Sequence, residues 1–249
     1  HVITPNKKAN SGDLSHHEKL MALKKNKHTH YFYEATVGAG LPVISSLREL
    51  RRTGDQILHV EGVLSGTMSY LFNTFDGSIP FSEVVKGAKE RGYTEPHPKD
   101  DLMGLDVARK LVILAREMGH PLSLDDVSVE AVMPDGLDKE DNVDAFLGAL
   151  GQIDDKMHQM LEDARAHNKK LCYLGRINEE QKAEVKLVAI ESSHPFSGLS
   201  GSDNMIAFTT QRYDEQPLVI RGPGAGPQVT AGGVFADLLR LAAHLGARS

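Results

Sequence analysis

Leu102-Met103-Gly104-Leu105-Asp106-Val107-Ala108-Arg109-Lys110-Leu111-Val112-Ile113-Leu114-Ala115-Arg116-Glu117-Met118 sets how the rest of the chain must be arranged. At 100° per residue its apolar side chains cover nearly the whole circumference, so the stretch predicts a helix over 102–118 that is buried on almost every side. A helix so enclosed needs layers around it, and the flanking sequence supplies them. Upstream, Val2–Thr4, Tyr31–Val37 and Ile57–Leu64 read as strands, separated by helical patterns at 13–26, 41–53, 68–75 and 82–91. Gly92 is placed to cap the last of these. Downstream, Val127–Met133 reads as a strand and 142–167 has the length of a single surface helix. Leu171–Ile177, Glu184–Ile190, Met205–Gln211 and Pro217–Ile220 are short, partly alternating runs divided by turn residues, which predicts pairing by hairpin or meander. Thr230–Leu245 returns to helix. The fold class that follows is α/β in the broad sense (α+β), a mixed β-sheet packed with helices.

Bulk properties exclude several kinds of function. The 249 residues are 40% apolar and 25% charged, with a formal net charge of −6, so no basic field is available for nucleic acid or anionic lipid. No apolar run reaches the roughly 18 residues that a membrane span needs. Cys172 is the single cysteine, which rules out an internal disulfide and suits a reducing, cytoplasmic compartment. Within Leu171-Cys172-Tyr173-Leu174 it reads as a buried thiol rather than a nucleophile. His16 and His17, and His28 and His30, are close in sequence, but neither His-Glu-x-x-His nor a Cys/His pairing occurs, so catalytic zinc is not expected. Gly-x-Ser-x-Gly is absent too.

The central helix carries chemistry as well as packing. Asp106 and Lys110 stand four apart on one face, and Glu117 falls on the same stripe. Just upstream, Tyr93-Thr94-Glu95-Pro96-His97-Pro98-Lys99-Asp100-Asp101 brings further carboxylates on a backbone that two prolines hold extended. Acidic side chains gathered around one buried lysine suit acid/base work. An ordinary i,i+4 ion pair worth about 0.2–0.5 kcal/mol remains open as the alternative. Three other motifs are less specific. Tyr33-Glu34-Ala35-Thr36-Val37-Gly38-Ala39-Gly40-Leu41-Pro42 is a tight turn that lacks the dinucleotide fingerprint. Ser65-Gly66-Thr67 ends a strand and opens a helix, where Thr67 could serve as the N-cap. Gly222-Pro223-Gly224-Ala225-Gly226 is a glycine-rich turn before the last helix, weak evidence by itself of phosphate binding.

Residues 93–110 follow the pattern Tyr-Thr-Glu-Pro-x-Pro-x-Asp-Asp-Leu-x-Gly-x-Asp-Val-Ala-Arg-Lys, which resembles the signature of the homoserine dehydrogenases. The likeness extends from Val2 to Leu245 and looks closest to the C-terminal module of the bifunctional aspartokinase–homoserine dehydrogenases. It implies NADP- or NAD-dependent interconversion of L-aspartate 4-semialdehyde and L-homoserine, on the route to threonine, methionine and isoleucine. Matched position by position, Lys110 is the acid/base lysine and Asp106 the aspartate beside it. Glu95 and Asp101 are the carboxylates that hold the substrate, with Thr67 near it. Lys7 and Gly226 reach the cofactor. Glu34, Val37, Ala39 and Leu41 hold a monovalent cation, sodium or potassium, mostly through main-chain carbonyls. The departures are His97 and Lys99, where many members have Asp and Arg. The resemblance further implies that residues 1–30 and 222–249 are remnants of a Rossmann-type nucleotide-binding domain continuing upstream, with 31–221 forming the catalytic and dimerisation domain. A homodimer acting on a small molecule is expected, cytoplasmic or, in a plant, plastidic. The alternative is a non-catalytic dimerisation or effector-binding module derived from such an enzyme.

Overall fold

In the computed structural model, residues 1–27 and 29–247 are described; the expected neighbour His28 and the last two residues of the 222–249 segment lie outside the described residues. β1 (Val2–Ile3) pairs in parallel with β2 (Tyr31–Phe32), and α1 (Lys8–Ser11) and α2 (Leu14–Asn26) connect them. The Asp13 carboxylate accepts the His16 amide at 3.0 Å and fixes where α2 begins. The strand expected over Tyr31–Val37 stops after Phe32, because Glu34–Thr36 turn as a 3-10 helix. There the Glu34 amide donates to the Asp237 carboxylate (2.8 Å) and the Thr36 hydroxyl to the Tyr33 carbonyl (2.7 Å), which draws the backbone out of the strand ladder.

Next come α3 (Val43–Arg52), β3 (Ile57–Val63), α4 (Gly66–Thr74), α5 (Phe81–Glu90), α6 (Lys99–Leu102) and α7 (Leu105–Met118). Gly92 takes a left-handed φ of 74° just past α5, as its capping role requires. The helix expected over 102–118 is interrupted at Gly104, with φ of 71°. A Cβ there would lie 2.1 Å from the Tyr173 hydroxyl, so a tight approach from the sheet forces the break. β4 (Val127–Val129), α8 (Val143–Leu150) and α9 (Asp154–Ala166) follow. The single helix expected over 142–167 is therefore two. A 3-10 turn at Gly151–Ile153 separates them, and Asp154 just beyond it binds the Ser82 amide (2.8 Å) and hydroxyl (2.7 Å) at the start of α5. That anchor redirects the chain where glycine offers least resistance to a bend.

β5 (Lys169–Ile177), β6 (Ala183–Glu191), β7 (Asp203–Thr210), β8 (Leu218–Pro223) and α10 (Pro227–His244) complete the chain. Six strands form a mixed sheet in the order β4-β6-β5-β3-β7-β8, antiparallel throughout except for β4 beside β6. Alternation along β5 divides the interior. Leu171, Tyr173 and Ile177 join the main core with α4, α5, α7 and α9, whereas Cys172 and Leu174 face a smaller cluster with Phe196 and Leu199. α7 lies close on the main face: a Cβ at Gly175 would meet Val107 at 3.0 Å and Leu111 at 3.1 Å. Burial pushes the Cys172 thiol up to about 11, which suits a packing role rather than a reactive one. Among the described residues, no helix is long and apolar enough to cross a membrane.

Candidate active site

Lys110 leaves the second turn of α7 with its stem buried against the sheet, and its ammonium emerges where β3 gives way to α4. Nζ donates to the Leu64 carbonyl at 2.6 Å and to Asp106 Oδ2 at 2.8 Å. An ammonium has three N–H donors, so one remains for the cleft that Lys110 lines. Asp106 Oδ1 faces Lys7 Nζ at 3.2 Å, which extends the pair into a run of three charges. Lys7 is held by the turn that carries it: its carbonyl accepts the Asn10 and Ser11 amides at 2.9 and 2.8 Å. Burial works to raise the Asp106 carboxyl, but the ammonium groups of Lys110 and Lys7 outweigh it and leave it below the usual carboxylate range.

Across the cleft, the Pro96–Pro98 segment folds Glu95 back so that its amide donates to Asp101 Oδ2 at 2.8 Å. Burial pushes the Asp101 carboxyl up to about 6. The Glu95 amide pulls it down, while the Glu95 and Asp106 carboxylates reinforce the rise. Thr67 is not the helix cap. Ser65 accepts the Met68 amide at 3.2 Å and caps α4, because it alone precedes the first helical turn. The Thr67 hydroxyl instead donates to the Tyr93 carbonyl at 2.8 Å and pins the loop that leads to Glu95. Gly224, Ala225 and Gly226 arch over the same space. Gly226 has φ of 122°, in a region open to glycine. The cleft has a main cavity of about 800 Å³, bordered by Lys7, Ala39, Asp101, Asp106 and Thr230, and a neighbouring lobe of about 450 Å³ toward Thr67 and Tyr93.

Glu34, Val37, Ala39 and Leu41 share one turn beside this cleft. The Glu34 carboxylate is already engaged, accepting the Ile44 amide (2.7 Å) and the Ser45 amide (3.0 Å) at the start of α3 and pairing with Arg240 at 2.8 Å. The carbonyls tell a different story. Val37 is fully buried, and among the described residues neither its carbonyl nor that of Ala39 accepts a hydrogen bond. Two unpartnered carbonyls on a turn shaped by positive φ at Gly38 and Ala39 fit a hard, oxygen-seeking cation. The Leu41 carbonyl is shared with the Val43 amide (2.8 Å), and that of Glu34 with the Val37 amide (3.4 Å).

The structure brings Lys110, Asp106, Lys7, Glu95, Asp101 and the Gly226 arch to one cleft, with Asp100 at its rim. Glu117 does not join them. It binds the Tyr33 hydroxyl and Arg48 at the far end of α7, since the seven residues from Lys110 to Glu117 carry it two turns, about 10 Å, along the helix axis. His97 packs edge-on against Phe146, and Lys99 Nζ bonds the Glu140 carbonyl (2.9 Å) and Asp141 (2.8 Å), so the first departure from the signature serves packing and the second ties the segment to the Glu140–Asp141 loop. Sequence reasoning missed the Leu64 carbonyl, which no side chain announces. It also missed Asp237 and Arg240, which tie α10 to the Glu34 turn and which the i,i+3 pair in an apolar helix could have disclosed.

A family profile described as homoserine dehydrogenase matches residues 42–239. The chain is 55% identical over 250 residues to bifunctional aspartokinase/homoserine dehydrogenase 2, chloroplastic, of Zea mays, covering 100% of this chain and 27% of that protein. It is 45% identical over 255 residues to the homoserine dehydrogenase of Saccharomyces cerevisiae, covering 98% of this chain and 69% of the yeast protein. A crystal structure of a Candida auris protein of unknown function superposes with a TM-score of 0.93 at 42% identity, covering 97% of this chain and 69% of that one. The chain thus spans about a quarter of the length of the bifunctional relatives it matches.

Proposed function

This chain belongs to the homoserine dehydrogenase family, and on that premise we propose that its cleft interconverts L-aspartate 4-semialdehyde and L-homoserine with NADP or NAD. The observation that carries the proposal is the one uncommitted N–H of Lys110, aimed into a cleft whose opposite wall is acidic. The substrate has an ammonium group at one end and an aldehyde or alcohol at the other. Glu95 and Asp101 supply fixed carboxylates for the ammonium. In the reducing direction, Lys110 gives its proton to the carbonyl oxygen as negative charge develops there; in the oxidising direction the neutral amine takes the hydroxyl proton. Asp106 and the Leu64 carbonyl hold Nζ at a fixed point, and Lys7 keeps Asp106 ionised beside it. Thr67 fixes the Tyr93–Glu95 loop, so the ammonium site keeps its spacing from Lys110.

The small surfaces of Gly224, Ala225, Ala39 and Thr230 suit the flat end of a nicotinamide nucleotide, with Lys7 and Gly226 beside it. When bound, that group supplies or accepts the hydride. The free carbonyls of Val37 and Ala39, with those of Glu34 and Leu41, would hold a sodium or potassium ion and stiffen the turn next to the cofactor's place. We place residues 1–30 and 222–249 with a nucleotide-binding domain and 31–221 in the catalytic and dimerisation domain, the working unit being a homodimer in the cytoplasm or, for a plant source, the plastid. The test is homoserine oxidation, followed by NAD(P)H absorbance with sodium or potassium present, on this chain and on the chain extended upstream. Turnover by the extended form is expected; no turnover by either, with the fold intact, overturns the proposal.

A further inference from the structure

Asn204 lies on β7 with no exposed surface, and neither its side-chain nitrogen nor its side-chain oxygen has a hydrogen-bond partner. A buried carboxamide with both ends unsatisfied is costly and calls for a reason. Its surroundings supply one. In the β7–β8 ladder Asn204 stands opposite Gly222, and Gly224 lies two residues beyond, where the chain leaves the sheet to arch over the cleft. A Cβ on Gly224 would sit 2.0 Å from both Cγ and Nδ2 of Asn204, so the arch rests directly on the carboxamide and only glycine can occupy that point. Beyond the strand ladder, which ends at the Asp203–Pro223 pair, the amides of Ala225 and Gly226 donate to no backbone carbonyl among the described residues, and the carbonyls of Gly224 and Ala225 accept no backbone amide. Unused peptide groups therefore lie against an unused donor and acceptor. All three arch residues border both parts of the cleft.

We propose that Asn204 is a positioning residue: as the cleft fills, its carboxamide pairs with the free peptide groups of the Gly224–Gly226 arch and fixes the arch over the ligand. This rests on the dehydrogenase reading above. In the resting state the arch is tied only at its ends, by the β7–β8 ladder and by the Thr230 amide on the Gly226 carbonyl (3.0 Å), and the two hydrogen bonds to Asn204 form only when the ligand brings the peptide groups into line. Binding is thereby coupled to the satisfaction of a polar group that the resting fold leaves unpaired. A purely structural asparagine would contribute to the resting fold instead.

The test uses the upstream-extended enzyme, with homoserine and NADPH or NADP as probes. Asn204→Leu keeps the bulk and removes both polar ends. It should leave the ligand-free melting temperature unchanged or higher, raise the KM for the nucleotide about tenfold, and change kcat much less. A lower melting temperature with KM unchanged overturns the inference. In wild-type enzyme labelled with [15N]asparagine, the side-chain NH2 signal lost in Asn204→Leu should shift and exchange more slowly with solvent when nucleotide is added. If the wild type turns over normally and that signal does not move, the inference fails by itself. If the wild type does not turn over at all, the dehydrogenase reading fails and takes this inference with it.

Discussion

The two ends of α7 use the same chemistry for opposite purposes. At its N-terminal end Asp106 meets two cations, Lys110 and Lys7, and its side chain is 49% exposed. At its C-terminal end Glu117 meets Arg48 and the Tyr33 hydroxyl, and its side chain is 9% exposed. The second group is closed: Arg48 stacks over the Tyr33 ring, and the Arg51 guanidinium takes the Glu117 carbonyl as well. Burial, reinforced by the Glu117 carboxylate, pushes the Tyr33 hydroxyl far above its ordinary range, so it stays a hydrogen-bond donor at any working pH. The first group keeps one donor unspent and faces a cavity. A carboxylate–cation pair in a buried helix thus says little about function; the valence left over, and whether anything can reach it, says much.

The sharpest way to break this contrast is to remove the unspent donor. Lys110→Ala should lower the rate of homoserine oxidation by about a thousandfold while far-UV circular dichroism and cooperative melting persist. Rates close to wild type would mean that the open end of α7 is as structural as the closed one. The paired substitutions come next. Glu117→Ala should cost about 3 kcal/mol in chemical denaturation, because it strands Arg48 in a largely buried site, yet leave activity per folded molecule unchanged. Asp106→Asn should do the reverse, with little change in stability at a half-exposed site and about a tenfold loss of kcat. Equal stability losses from the two would erase the distinction.

A smaller effect concerns the acidic wall. The folded protein keeps the Asp101 proton up to about pH 6, whereas an unfolded chain releases it near the ordinary 3.8. The stability this contributes is present below the ordinary value and is lost as pH rises through 6. At neutral pH, Asp101→Asn should therefore melt higher than wild type. In wild type, the KM for homoserine should rise about tenfold between pH 7 and pH 5, as the carboxylate that receives the ammonium is protonated. A KM that stays level across that range would remove Asp101 from the ammonium site.

Much of this was readable from side-chain type and period. The enclosure of α7, the Asp106–Lys110 pair and the acidic run before it follow from local sequence, and the structure places all of them around one cleft. What escaped is non-local. Gly104 breaks the helix because the Tyr173 hydroxyl comes within 2.1 Å of where its Cβ would be. The bend at Gly151–Ile153 depends on Ser82, 72 positions before its partner Asp154. The placement of Glu117 failed for a simpler reason. Sharing a helical stripe with Lys110 fixes a direction around the axis but leaves the distance along it, and Arg48 and Tyr33 were waiting at that height.

The Glu34 clamp has a bearing on how the chain is made. Its carboxylate is neutralised by Arg240, 206 positions later, and its amide by Asp237, 203 positions later. A ribosome adds about 5–20 residues per second, so some 10–40 s separate the synthesis of that turn from that of its counter-charge. Through that interval the turn beside the cleft lacks its counter-charge, and of the Glu34 carboxylate's partners only the Ile44 and Ser45 amides are at hand. α10 is therefore the helix that completes the cleft, and a product stalled before it would carry the sheet and α7 without a finished site.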